Sequence, residues 1–312
     1  MPQQISLRET YGKTLVEVGK KNPDIVVLDA DLAPSTMTHL FASEFPERFF
    51  DCGIAEQNMV SIAAGLTASG KIPFASTFAV FAPGRCFDQI RMSIAQPRLN
   101  VKLVATHGGI SVGEDGVSHQ SIEDLALITS LPGFTVVVPA DAIETAQAVR
   151  AAASSYGPFY IRLCRPKMPL VYHDDYLFNL GRAVTMKWGK EITIIAIGIM
   201  VVAALEAADN LKREGIDCCV LNMPTIKPID EAAIIKAADD TGAIVTAEEH
   251  LEHGGLGSLV AQVVAKYHPV PMEFVAIKDT YAESGKATEL LQKYKLTAKD
   301  IEQAVRTVIK KK

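Results

Sequence analysis

Three stretches combine proton-handling side chains with glycines and aromatics that could shape a pocket around them. The first is Gly53-Ile54-Ala55-Glu56-Gln57-Asn58-Met59, where a strand-to-helix loop runs into a helix of small residues. A carboxylate entering such a packed helix is costly if it stands unpaired, so Glu56 is a candidate acid, and its burial is expected to raise its pKa. The alternative is a first-turn glutamate that meets the helix dipole. The second stretch is Thr77-Phe78-Ala79-Val80-Phe81-Ala82-Pro83. Two phenylalanines three apart are ordinarily core residues, yet beside a buried carboxylate they could stack a flat, basic heterocycle whose nitrogen needs an acid. The third is the loop from Thr106 to Gln120, which holds His107, Asp115 and His119 among four glycines. It predicts a mobile backbone with groups that titrate near neutrality, suited to substrate hydroxyls and protons. A polar loop with incidental histidines is the alternative. His107 and His119 lie twelve residues apart without compact ligand spacing, so no metal site is expected in this chain.

The elements that must position these residues alternate between helix and strand. Arg8 to Lys20 reads as an amphipathic helix and Asp24 to Leu28 as a short buried strand. Glu56 to Ser69 is a helix, Ile72 to Phe78 extended, Cys86 to Ala95 helical, and Val101 to Ala105 a strand; after a loop and another helix, Thr135 to Val138 is again a strand. β-branched runs between helices are what a parallel sheet covered on both faces requires. From Pro166 to Leu180 the pattern lapses into proline, aromatic and acidic residues that propagate neither period. Beyond it, strands at Ile192 to Ile197, Asp217 to Leu221 and Ala243 to Ala247 alternate with helices at Met200 to Glu214 and Glu231 to Asp239. The expected fold class is α/β in two domains, each a largely parallel sheet with helices on both faces. The first domain is placed at residues 1–170, a linker at 171–185 and a smaller second domain at 186–312.

Composition narrows the function classes. A chain of 312 residues is long enough for about two folded units, and 48% apolar with 21% charged residues is ordinary for a soluble globular protein. The formal net charge of -5 leaves no cationic field for nucleic acid or anionic lipid. Cys52, Cys86, Cys164, Cys218 and Cys219 show no metal or redox spacing, which suits a reducing compartment. The amino terminus lacks an apolar signal core and no long apolar run follows, so a cytoplasmic protein not inserted in a membrane is expected.

Taken in order, Asp29-Ala30-Asp31-Leu32-Ala33-Pro34-Ser35, GIAEQNM, STFAVF, GEDGVSHQ and PADAIET resemble segments of the transketolase pyrimidine-binding domain. Glu248-Glu249-His250-Leu251-Glu252-His253-Gly254-Gly255-Leu256-Gly257-Ser258 resembles the transketolase C-terminal domain. The resemblance covers nearly the whole chain. It implies thiamine diphosphate as cofactor, with Glu56 bonding the aminopyrimidine nitrogen and driving it towards the imino tautomer. It implies Phe81 as the stacking ring, Phe78 and Leu32 as pocket walls, and Asp31 as a neighbour of the cofactor. By the same resemblance Arg8, Ser35, His107 and Arg165 hold the sugar phosphate, and Asp115 and His119 contact hydroxyls near the reacting carbons. Guanidinium forks and hydroxyl donors suit phosphorylated sugars better than free pyruvate. Arg162 is a rival to Arg165 for that role.

The family holds the diphosphate through a metal ion and a Gly-Asp-Gly motif followed by asparagine. The only look-alike is Glu114-Asp115-Gly116, and no asparagine occurs between Asn100 and Asn179. The resemblance therefore implies a separate N-terminal transketolase subunit that carries the magnesium or calcium ion, joined in an α2β2 assembly. Ketol transfer between phosphorylated sugars is the expected reaction. Rival readings are a 2-oxoacid dehydrogenase beta subunit, a deoxyxylulose-phosphate synthase and a non-catalytic binding subunit.

Overall fold

In a computed structural model of the chain, residues 4–312 are described; residues 1–3, which open the expected first domain and its polar amino terminus, lie outside the described residues. Two sheets carry the architecture. The larger has seven strands in the order Thr225–Lys227, Thr135–Val137, Phe159–Arg162, Lys102–Thr106, Ile72–Phe78, Ile25–Asp29 and Phe49–Asp51. All its pairings are parallel except that of Thr225–Lys227 at the edge. The smaller has five: Met272–Ile277, Ile244–Leu251, Ile192–Ala196, Cys218–Asn222 and Val184–Lys187, with only the last antiparallel. This is the α/β fold class expected from the sequence.

The strands form where the sequence runs apolar and β-branched: Ile25–Asp29, Lys102–Thr106 and Ile192–Ala196 are buried at every position, as a sheet covered on both faces demands. On one face of the large sheet the Leu7–Lys21 helix packs against the Ala142–Ser154 helix, burying Leu7, Tyr11, Leu15 and Val149 with Phe74 and Ile161. On the other, the Glu56–Ala68 helix buries Met59, Val60 and Ala63 beside Cys86 and Ile90. Ser6 begins the first helix by accepting a hydrogen bond from the Glu9 amide, and Asp141 begins the Ala142–Ser154 helix in the same way on Glu144.

The two units are stitched together more closely than a linker implies. Thr225–Lys227, which follows a strand of the second sheet, pairs with Thr135–Val137 and closes the edge of the first. The proline-rich segment is strapped down as well. Lys167–Pro169 pairs with Gln4–Ser6, Asp141 accepts from the amides of Val171 and Tyr172, and Glu144 accepts from the Tyr176 hydroxyl.

Parallel strands in register end together. Asp29 lies opposite Asp51 and Ser76, Phe78 opposite Thr106, and Ala105 opposite Arg162. The loops leaving those carboxyl ends therefore meet in one crevice, the usual ligand position in an open α/β sheet.

Candidate active site

Each of those loops delivers residues expected from the sequence. Glu56 follows Phe49–Asp51, Asp31 and Leu32 follow Ile25–Asp29, Phe81 follows Ile72–Phe78, His107 and His119 follow Lys102–Thr106, and Arg165 follows Phe159–Arg162. Two strand-end aspartates fix the nearest turns. Asp29 accepts from the Leu32 amide at 2.6 Å and from the hydroxyls of Thr36 and Thr38 at 2.7 and 2.8 Å. Asp51 Oδ1 accepts from the amides of Asp31 at 3.1 Å and Gly53 at 2.9 Å, tying the first loop to the second. Asp31 and His107 both sit in the left-handed backbone region, at φ 61 and 59 degrees, where side-chain-bearing residues are uncommon and the surroundings must hold them.

A cleft of about 270 Å³ opens between these loops, walled by Asp31, Leu32, Ile54, Glu56, Phe81 and His119, with Ala30, Arg85 and Ser118 completing it. Glu56 is only 5% exposed, at the first turn of its helix. Arg85 Nη1 lies 2.8 Å from Glu56 Oε1, so the buried carboxylate has a cationic partner, one that the motif reading does not name. The same guanidinium lies 3.9 Å from the centroid of the Phe81 ring. Phe81 and Arg85 are four apart on a helix, a spacing that brings side chains together, so this pairing was readable in the sequence and was missed. Phe78 stands behind Phe81 with centroids 5.7 Å apart and nearly parallel planes, and stacks on His107 at 3.8 Å. The His119 ring meets Phe81 edge-on at 5.4 Å.

Beside the cleft lies a cationic cluster. Arg8 Nη1 donates to the Ser35 carbonyl at 2.7 Å and Nη2 reaches the Arg165 carbonyl at 3.5 Å, while Arg165 Nη1 donates to the Val112 carbonyl. Burial and then the neighbouring Arg165 charge lower the Arg8 pKa, and buried Arg8 Nε has no hydrogen-bond partner among the described residues. Two guanidinium groups side by side are a donor set of the kind that takes oxyanions. Arg162, the rival, is committed elsewhere: it is buried, with Nε 2.9 Å from Asp124 Oδ2 and Nη2 donating to the carbonyls of Ser121 and Glu249.

The third stretch departs from its reading. Residues 107–113 are buried, so the expectation of a mobile loop is corrected to a packed one. Its glycines serve close approach: a Cβ on Gly108 would lie 2.6 Å from Arg162 Nε, and one on Gly109 2.1 Å from Glu249 Cδ. His107 does not titrate near neutrality. Burial, followed by the charges of Arg8 and Arg165, pushes it down to about 3, so the imidazole is neutral. Asp115 is exposed on this loop and takes no part in the wall of the cleft. Among the described residues no group of three or more His, Cys, Asp or Glu side chains could hold a metal ion, and no helix is long and apolar enough to cross a membrane.

Fold and cleft together define an α/β protein with an acid and an aromatic ring at the carboxyl edge of a parallel sheet, backed by a second α/β unit. Residues 3–170 match the transketolase pyrimidine-binding domain and residues 181–301 the transketolase C-terminal domain. The chain belongs to the transketolase family. It is 46% identical over 308 residues to a chain of Methanocaldococcus jannaschii described as a transketolase C-terminal section, covering 98% of this chain and 96% of that one. It is 41% identical over 306 residues to the 6-deoxy-6-sulfo-D-fructose transketolase subunit of a Clostridium species, covering 98% and 95%. The solved structure of a split-gene transketolase, described as an inactive beta4 tetramer, superposes with a TM-score of 0.92 at 53% identity, over 98% of this chain and 99% of that one. Against single-chain relatives such as human transketolase, the chain spans about half the length.

Proposed function

We propose that this chain is the C-terminal subunit of a two-chain transketolase that moves a ketol unit from a ketose phosphate to an aldose phosphate. The observation that carries the reading is the buried Glu56 carboxylate facing a cleft that also presents the Phe81 ring. The residues present suit the aminopyrimidine end of thiamine diphosphate: an acid for a ring nitrogen, an aromatic face for the ring, and apolar walls from Ala30, Leu32 and Ile54. Phe78, behind Phe81, sets the height of that face. A ring seated there takes the positions that the Arg85 guanidinium holds against Glu56 and Phe81, so Arg85 moves aside or bonds the ring's edge. When bound, thiamine diphosphate supplies the electron sink for breaking a carbon–carbon bond.

The rest of the chemistry assigned to this chain is binding and proton handling. Arg8, Arg165, the Ser35 hydroxyl and neutral His107 hold the terminal oxyanion of the sugar, and His119 and Asp115 meet hydroxyls nearer the reacting carbons. A phosphate suits this cluster, and so does a sulfonate, which has the same tetrahedral oxygens. Pyruvate offers no group that needs both arginines, which disfavours a 2-oxoacid dehydrogenase reading. Carboxylate ligands for a magnesium or calcium ion are assigned to a separate N-terminal subunit that holds the diphosphate, in an α2β2 assembly. A cytoplasmic location fits phosphorylated substrates.

The test is reconstitution with the diphosphate-binding chain. Xylulose 5-phosphate with ribose 5-phosphate is expected to turn over only when both chains, magnesium and cofactor are present. Glu56→Ala is expected to lower kcat by about a hundredfold or more while the complex still forms. Turnover by the lone chain, or a Glu56→Ala enzyme within about tenfold of wild type, would overturn the assignment. Preference for pyruvate over the ketose phosphate would move the chain to the neighbouring enzyme class.

A further inference from the structure

We infer that the C-terminal unit acts as a clamp on the substrate loop, with Glu249 as a positioning residue for the oxyanion cluster, an inference that rests on the reading above. Glu249 projects from the Ile244–Leu251 strand of the second sheet into the first unit. Both of its oxygens are taken by one residue of the loop: Oε1 accepts from the Ser111 amide at 2.5 Å and Oε2 from the Ser111 hydroxyl at 3.1 Å. Nothing larger than Gly109 fits beside that carboxylate, and nothing larger than Gly108 beside Arg162, whose Nη2 donates to the Glu249 carbonyl at 3.0 Å. Burial pushes the Glu249 carboxyl up to about 7, opposed by the Arg162 charge and by the Ser111 bonds, and those bonds go to the loop rather than to the sheet from which Glu249 comes.

A second hold comes from the segment before the Ala287–Lys293 helix. The Ser284 hydroxyl donates to the Glu114 carbonyl at 2.6 Å, and Gln120 Nε2 donates to the Glu283 carbonyl at 2.9 Å. The C-terminal unit thus fastens the loop at Ser111, Glu114 and Gln120 without contributing a wall to the cleft. Between those points lie Val112, whose carbonyl receives Arg165, and His119; His107 lies just before them. A shift of the loop would therefore move Arg165 and both histidines together, while Glu56 and Phe81, which stand on other loops, stay in place.

The experiment compares Glu249→Ala, Glu249→Gln and Ser284→Ala in the full chain. Hydrogen exchange of residues 108–121 is read without partner or cofactor, and ketose-phosphate KM, kcat and thiamine diphosphate affinity are read in the reconstituted complex. Glu249→Ala is expected to speed exchange in 108–121 but not in Ile72–Phe78, and to raise KM by about tenfold or more with cofactor affinity unchanged. Glu249→Gln keeps a carbonyl for the Ser111 amide and restores most of both. Wild-type exchange and KM in Glu249→Ala would overturn the inference, as would protection lost evenly across the chain. Should Glu249→Ala not fold, Ser284→Ala decides: raised KM and faster exchange in 108–121 support the clamp, and unchanged values sink it. A wild-type complex, reconstituted with the diphosphate-binding chain, magnesium and cofactor, that turns over no sugar phosphate would count against the transketolase reading, and the exchange result would still decide the clamp.

Discussion

His107 shows how burial changes the role a side chain can play. Its ring stacks on Phe78, and burial with the charges of Arg8 and Arg165 pushes it down to about 3, which leaves it neutral in any physiological buffer. A histidine lowered in this way gains its proton only below about pH 3, so it acts as a hydrogen-bonding group and not as the base that sets a pH optimum. His107→Asn is therefore expected to lower kcat/KM by about tenfold or more at every pH from about 5 to about 9, without displacing either limb of the profile. A missing acid limb in the variant's pH–rate profile would contradict this. At this scale the sequence was informative about which residue types matter and poor about their partners. Glu56, Phe81 and His119 line one cleft, whereas Arg85, one helical turn after Phe81, and Asp51, at a strand end, lie outside the motifs that carry the resemblance. Strand-end aspartates bonding the amides of the following turn would have been the signal.

Elements were legible where the hydrophobic period ran long. Ile72–Phe78 and the helices at Leu7–Lys21 and Glu56–Ala68 stand where their periodicity put them, give or take a residue at the ends. Phe159–Arg162 and Thr225–Lys227 were not seen: short strands carry too few residues for alternation to show, and one pairs with a sheet far from it in sequence. The loop glycines were read as freedom when they mark contact. Gly109, at φ 86 degrees and with Glu249 where a Cβ would go, is expected to lose roughly 2–4 kcal/mol as Gly109→Ala. Gly65→Ala, in a helix with open space around it, is the control and is expected to be neutral or slightly stabilising; equal urea midpoints for both would refute the contact argument.

The Ala142–Ser154 helix offers a pH test. Burial pushes Glu144 up to about 7, against hydrogen bonds from the Ala140 amide, Asn222 and Tyr176 that favour its charged form, with Asp141 nearby adding to the rise. A carboxyl raised by folding from 4.5 to about 7 stabilises the native state while protonated. That contribution is complete below about pH 4.5 and is lost as the pH climbs through about 7. Glu144→Gln, which does not titrate, is expected to gain on the wild type between about pH 5 and about pH 8, by at most roughly 3 kcal/mol. Urea unfolding of both proteins at the two pH values measures the difference, and a gap that does not change with pH would rule out titration of Glu144 there.

For the molecule as a whole, the second unit's Thr225–Lys227 strand has a consequence for where the chain can be divided. A single cut among residues 173–180, between the two family domains, removes one covalent bond and leaves the strand pairing and the buried Glu249 contact intact. The two pieces are expected to copurify and to part only in denaturant, as size-exclusion chromatography after nicking would show. Elution of two separate pieces from a native column would mean that the cross-sheet pairing is too weak to matter. Expressed alone, the amino-terminal piece would present the naked edge of Thr135–Val137, an open template for the edge of another copy. A break at this junction would yield mutually dependent halves, neither a free-standing module to be shuffled onto a new protein.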